Sequence, residues 1–232
     1  MRLRITFSKS GALRYTGHLD LQKLWERTVR RTGLPLAYTH GFHPGPKIQI
    51  ASALPLGFIG RAEIVDIRLQ EDAGSGLIPV QGDHEGRPYV EALQRAAPPG
   101  LTILSVTQVD EASPALQTQV VSAEYEVTLL DPVDVQELSG RLTVLWQAET
   151  LPRQWKGKVY DLRPLIEALA LVPAPSHPAS LQGKGEEVRI CTRLAAREGA
   201  TARPEEVLDA LGLPLEATRI ERTRLILRGG VE

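Results

Sequence analysis

Period-2 and period-3.6 hydrophobic patterns alternate along this chain in an order that predicts an α+β protein. The expected architecture is two tandem ferredoxin-like (split βαβ) domains, each an antiparallel sheet with its helices on one face. Three observations carry it. Residues 1–109 read strand, helix, two or three strands, helix, strand. Residues 110–115, Asp-Glu-Ala-Ser-Pro-Ala, interrupt that pattern as a linker would. From residue 120 the pattern restarts and runs in a similar order to the end. The expected domains are residues 1–112 and 118–232.

Each element follows from local chemistry. Residues 2–7 alternate Leu3, Ile5 and Phe7 with Arg2, Arg4 and Thr6, the pattern of a half-buried strand. From residue 18 to 32 the period becomes helical: Leu21, Leu24, Trp25, Thr28 and Val29 share one apolar face. Thr16 or Gly17 is placed as the cap, and Asp20 suits the first turn, where the helix dipole favours an anion. Gly33 and Pro35 end the helix. Extended segments are expected at 36–38, 47–52 and 62–70, with a turn at 54–57. Residues 72–86 read as a glycine-rich connection. A short helix over 89–97 stops at Pro98-Pro99-Gly100, and a strand follows at 101–109.

The second half reads a strand at 120–130 and a helix that starts at Asp131-Pro132 and runs to about residue 147. A basic extended run occupies 151–160. A strand or short helix follows 161–166, and 173–185 is a Pro/Ser/Gly loop. A strand spans 187–194. Arg203-Pro204-Glu205-Glu206 opens a helix that Gly212 ends, and a last strand covers 220–227.

Composition narrows the function classes. No apolar run approaches the about 20 residues needed to span a bilayer, and the first residues lack a signal-peptide core, so a cytoplasmic location is expected. Cys191, the single cysteine, excludes an internal disulfide and reads as a small buried hydrophobe in a strand. The formal net charge of −1 hides an asymmetry. Residues 1–50 carry nine Lys or Arg against only Asp20 and Glu26, whereas residues 51–150 carry five basic against fifteen acidic groups. A basic lobe of this kind suits a polyanion.

Three features compete for the working surface. His18, His40 and His43 are the first. A metal is not expected, because His40-x-x-His43 has no cysteine or carboxylate nearby to complete a ligand set. The same histidines could serve as general acid and base, deprotonating a ribose hydroxyl while cations hold the phosphate. The second feature is the loop Tyr38-Thr39-His40-Gly41-Phe42-His43-Pro44-Gly45-Pro46-Lys47, in which glycines permit close backbone approach and prolines stiffen the path. It carries no nucleotide-binding P-loop signature. The third is a cationic stripe, Lys23, Arg27, Arg30 and Arg31, near Arg14, Tyr38, Phe42 and Lys47 in sequence. A second mixture of cations and aromatics, Arg153, Trp155, Lys156, Lys158 and Tyr160, lies in the other half. Cations bind phosphate and aromatic faces stack on unpaired bases, so both sets suit looped or single-stranded RNA. Trp25 reads as core rather than as a stacking platform.

One combination resembles a known family. It runs Phe7-Ser8-Lys9-x-Gly11-x-Leu13-Arg14-Tyr15-x-x-His18-Leu19-Asp20-Leu21, then Glu26-Arg27, Arg30-Arg31-x-Gly33-Leu34-Pro35, Gly41-Phe42-x-Pro44-x-Pro46-Lys47 and Leu54-Pro55-Leu56-Gly57. Residues 161–165 and 203–208 fit later segments. This is similar to the radical-SAM-linked family, a bacterial domain fused to or encoded beside a B12-type radical SAM protein. Its genes often neighbour those of an E/G-type ribonuclease and of ribosomal proteins. The resemblance implies a radical SAM protein as partner. It assigns no catalytic residue, and the chain has no cluster-binding CxxxCxxC motif of its own.

The function expected is therefore a non-catalytic RNA-binding or substrate-presenting accessory protein, without a cofactor, working with a radical SAM enzyme. Ribosomal and transfer RNA are the candidate ligands. The alternatives are a metal-independent ribonuclease using His18, His40 or His43, and a protein-only adaptor. Arg14, Lys23, Arg27, Arg30, Arg31, Tyr38, Phe42, His43, Lys47, Arg153, Lys156 and Lys158 are the expected nucleic-acid contacts.

Overall fold

A computed structural model describes residues 1–70, 86–155, 157–173 and 188–229. The chain forms a mixed α+β protein of two compact units, Met1–Val120 and Val121–Glu232. Among the described residues no helix is long and apolar enough to cross a membrane. The connections expected at 72–86 and 173–185 fall almost wholly outside the described residues.

In the first unit β1 (Arg2–Lys9) leads to α1 (His18–Thr32), β2 (Ile48–Ile50), β3 (Ile59–Arg68), α2 (Arg87–Ala96), β4 (Leu101–Val109) and a single turn, α3 (Leu116–Gln119). The strands lie in the order β2-β3-β1-β4, every neighbour antiparallel. Ile5 sits opposite Val65 on one side and Val106 on the other. The alternation of β1 sends Leu3, Ile5 and Phe7 into the core. There they meet Leu21, Trp25 and Val29 of α1 and Tyr89 and Leu93 of α2. Trp25 is fully buried, with its ring edge-on to Phe7 at 5.0 Å, as its place in the apolar face predicted. Gly33, at φ 77°, adopts the left-handed turn that stops α1.

The other face of β1 is polar and is held by a buried ion cluster. Asp66 accepts from Arg2 Nε (3.0 Å) and Nη2 (2.7 Å) and from Arg4 Nε (2.9 Å) and Nη2 (3.0 Å). Arg2 also donates to the carbonyls of Ser113 (2.7 Å) and Pro114 (3.0 Å). Residues 110–115, which read as a linker, are thus bound into the first unit. Sequence alone could not expose this, because a carbonyl acceptor carries no residue signature.

In the second unit β5 (Val120–Leu129) precedes α4 (Val135–Gln147), a hairpin of β6 (Pro152–Trp155) and β7 (Lys158–Asp161), then β8 (Ile166–Pro173) and β9 (Val188–Arg197). The short β10 (Ala200–Thr201), α5 (Pro204–Ala210) and β11 (Thr218–Leu227) complete it. β9 pairs antiparallel with β5, β8 and β10, and β5 lies next to β11. Asp134, not Asp131, caps α4 by accepting from the backbone of Gln136 and Glu137. The run 151–160 is a two-stranded turn-back rather than one extended segment. Cys191 is half-buried, not buried: it shares a strand face with Arg189 and Arg193, opposite the core residues Ile190 and Leu194.

Candidate nucleic-acid interface

The loop after α1 is closed by its own backbone. Thr39 N–H donates to Gly45 O and Lys47 N–H to Ala37 O, each at 2.8 Å, and Gly45 N–H donates to Thr39 Oγ1 at 2.9 Å. Both arms continue onto β3: Ala37 N–H donates to Arg68 O and Arg68 N–H to Lys47 O. What remains outside these bonds is a tip of His40, Gly41, Phe42, His43 and Pro44, all exposed. Gly41, at φ 129°, turns the chain there in a conformation that other residues resist.

Tyr38 ties the loop to the helix. Its hydroxyl donates to Glu26 Oε1 at 3.0 Å, and burial together with that carboxylate pushes the phenol above its ordinary value. The positive charge of Arg30 is close enough to oppose the shift. This bond matters for the charges around it. Glu26 and Arg30 stand four apart on α1, the spacing of a helical ion pair. Glu26 is engaged by Tyr38 instead, and Arg30 keeps its charge unpaired.

The four cations of the stripe separate into three kinds. Lys23 lies 3.7 Å from Asp20, an exposed pair. Arg31 donates from Nε (3.1 Å) and Nη2 (2.5 Å) to Ala96 O, at the end of α2, and from Nη2 to Thr28 Oγ1 (3.3 Å). It is a clamp between the two helices, supported by the negative end of the α2 dipole. Arg27 and Arg30 are exposed and make no hydrogen bond or ion pair among the described residues. Arg14 lies over the Tyr15 ring at 4.7 Å and donates to its hydroxyl, so its cation is partly engaged. Lys47 is half-buried, with no side-chain partner among the described residues.

Of the three candidate histidines, His18 is the first residue of α1, and His40 and His43 stand on the loop tip. All three are exposed, and none makes a hydrogen bond or ion pair among the described residues. Among those residues no group of three His, Cys, Asp or Glu is placed to hold a metal ion. A histidine base is ordinarily oriented by a hydrogen-bonded third group, and among the described residues these three make no such bond.

Residues 2–204 match a family model described as an uncharacterized protein conserved in bacteria (DUF2344). The chain belongs to the DUF2344 family. The match takes in α1, the loop and most of the second unit, ending at the first residue of α5. No curated protein matches the chain.

In the second unit of this DUF2344 chain the expected contacts are differently placed. Arg153 Nη2 lies 3.8 Å from Asp209, and Tyr160 donates to Glu206, which also accepts from the backbone of Arg203. Burial and Glu206 push the Tyr160 phenol up to about 12. These two contacts tie the β6–β7 hairpin to α5. Lys156 and the side chains of Trp155 and Lys158 lie outside the described residues. Behind the hairpin is an open cavity of about 370 Å³ lined by Tyr160, Asp161, Leu165, Thr201, Arg203 and Glu206. Sequence reading missed Glu26 as the tether of the loop. The signal was there: it is one of only two acids in the first 50 residues.

Proposed function

We propose that this protein is a non-catalytic RNA-binding or substrate-presenting module that works beside a radical SAM enzyme in the bacterial cytoplasm. Its contact surface is the exposed face of α1 with the 37–47 loop. One observation carries the reading: Arg27 and Arg30 are exposed, without partners among the described residues, on the helix to which Tyr38 fastens the loop. A polyanion gains most from cations that are not already neutralised. Among the described residues the exposed histidines lack an orienting partner, which favours binding over cleavage. The radical SAM partner rests on the sequence motifs of residues 7–57. We also read each unit as a split βαβ domain of the ferredoxin-like kind. The orders β2-β3-β1-β4 and β8-β9-β5-β11, with a helix in each crossover, support that reading.

The experiment is fluorescence anisotropy with a labelled oligoribonucleotide at several salt concentrations. Wild type should bind with a salt-dependent affinity, and Arg27→Glu/Arg30→Glu should weaken binding sharply while the fold is kept. Equal binding by the two proteins would refute the reading. Co-purification with the radical SAM partner, with and without nuclease, then separates RNA-mediated from direct contact.

A further inference from the structure

We infer that the loop tip is a base-stacking finger: Phe42 lies against the face of an unpaired nucleobase in single-stranded RNA, and Arg27 and Arg30 hold the adjoining phosphates. This rests on the reading that the α1 surface binds RNA, and it specifies the class of RNA.

Phe42 is the starting point. The chain has three phenylalanines. Phe7 and Phe58 are 0% and 5% exposed, whereas Phe42 is 102% exposed, with its whole ring in solvent. It is held there by construction. The bonds from Thr39 to Gly45 and from Lys47 to Ala37 close the loop beneath it, Pro44 and Pro46 restrict the return arm, and Gly41 makes the turn just before it. A backbone closed in this way loses little freedom when the ring it carries binds.

The surroundings choose the ligand. In sequence the ring is flanked by His40, Gly41, His43 and Pro44, two imidazoles and no large apolar side chain. Residues 37–47 contain no carboxylate, and the nearest acid on α1, Glu26, is occupied by Tyr38. An aromatic face amid imidazoles and free guanidinium groups matches bases and phosphates together. It requires an unstacked base, because a base inside a duplex has no free face.

The test compares a fluorescein-labelled oligouridylate with a labelled RNA duplex, binding each to wild type, Phe42→Ala, Phe42→Trp and Arg27→Glu/Arg30→Glu. Phe42→Ala should lose about 5- to 150-fold in affinity for the single strand, the equivalent of 1–3 kcal/mol. Its salt slope and its duplex binding should be unchanged, and Phe42→Trp should restore single-strand affinity. The inference is overturned if Phe42→Ala binds the single strand like wild type while the arginine variant does not; RNA binding then stands without the stacking. It is also overturned if tryptophan fails to restore the loss, or if Phe42→Ala loses only the protein partner. If wild type binds neither RNA, the reading beneath it falls first.

Discussion

Arg27 and Arg30 should set the salt dependence of RNA binding, and Arg31, the next residue, should not. The perturbation is Arg27→Gln/Arg30→Gln beside Arg31→Gln. On single strands each phosphate neutralised contributes about 0.7 to the slope of log affinity against log salt. Two partner-free guanidinium groups therefore predict a slope shallower by about 1.4 in the double variant. Arg31 is committed to Ala96 O through two N–H groups and to Thr28. Its loss should cost about 0.5–1.5 kcal/mol of stability, the range for one net hydrogen bond at an exposed helix end. The slope should stay as in wild type. Anisotropy titrations across a salt series read the first quantity, and urea denaturation reads the second. A slope change for Arg31→Gln as large as that of the double variant would refute the division of the stripe. So would an unchanged slope for the double variant.

Three further outcomes follow from the contacts. Tyr38→Phe removes the donor that occupies Glu26 and lets that carboxylate close on Arg30, so the slope in the same titrations should fall by about 0.7. Asp66→Asn leaves Arg2, only 1% exposed, without its counter-ion, and should lower the unfolding free energy by about 3–5 kcal/mol in urea denaturation. The Glu124 carboxyl is held below its ordinary value first by Arg224, with Arg193 also donating to it. A depressed folded value means stability that is full above the unfolded carboxylate range and lost as pH falls through the folded value. Glu124→Gln should therefore flatten the acid limb of a stability–pH profile.

How much of this was legible in the sequence depended on how local the cause was. The apolar face of α1 and its glycine stop depend on residues within two turns, and Leu21, Trp25, Thr28 and Val29 are buried as the spacing implied. The loop announced itself through its glycines and prolines. What could not be read was the partner of each charge. Arg31 resembles Arg27 and Arg30 in sequence, but its acceptor is a backbone carbonyl 65 residues away. Arg153 and Tyr160 looked like a second binding set, yet their partners, Asp209 and Glu206, lie on a helix about 50 residues later. A cationic stripe can be found by periodicity. Which of its members is already neutralised is a tertiary fact.

That distinction bears on the proposal that α1 is a binding surface. A helix with Lys23, Arg27 and Arg30 on one side places like charges at successive turns, which disfavours the helix slightly. Glu26 sits where it could relieve that repulsion through Arg30. Tyr38 donates to that carboxylate, and among the described residues Arg30 makes no ion pair with it. The loop is also closed at its base by five other hydrogen bonds, four between backbone groups and one from Gly45 N–H to Thr39 Oγ1. The contact that ties the loop to the helix also engages the carboxylate four residues before Arg30. Loop position and free charge are therefore coupled through one hydroxyl, and that coupling, more than the number of basic residues, distinguishes this surface from an ordinary solvated helix face.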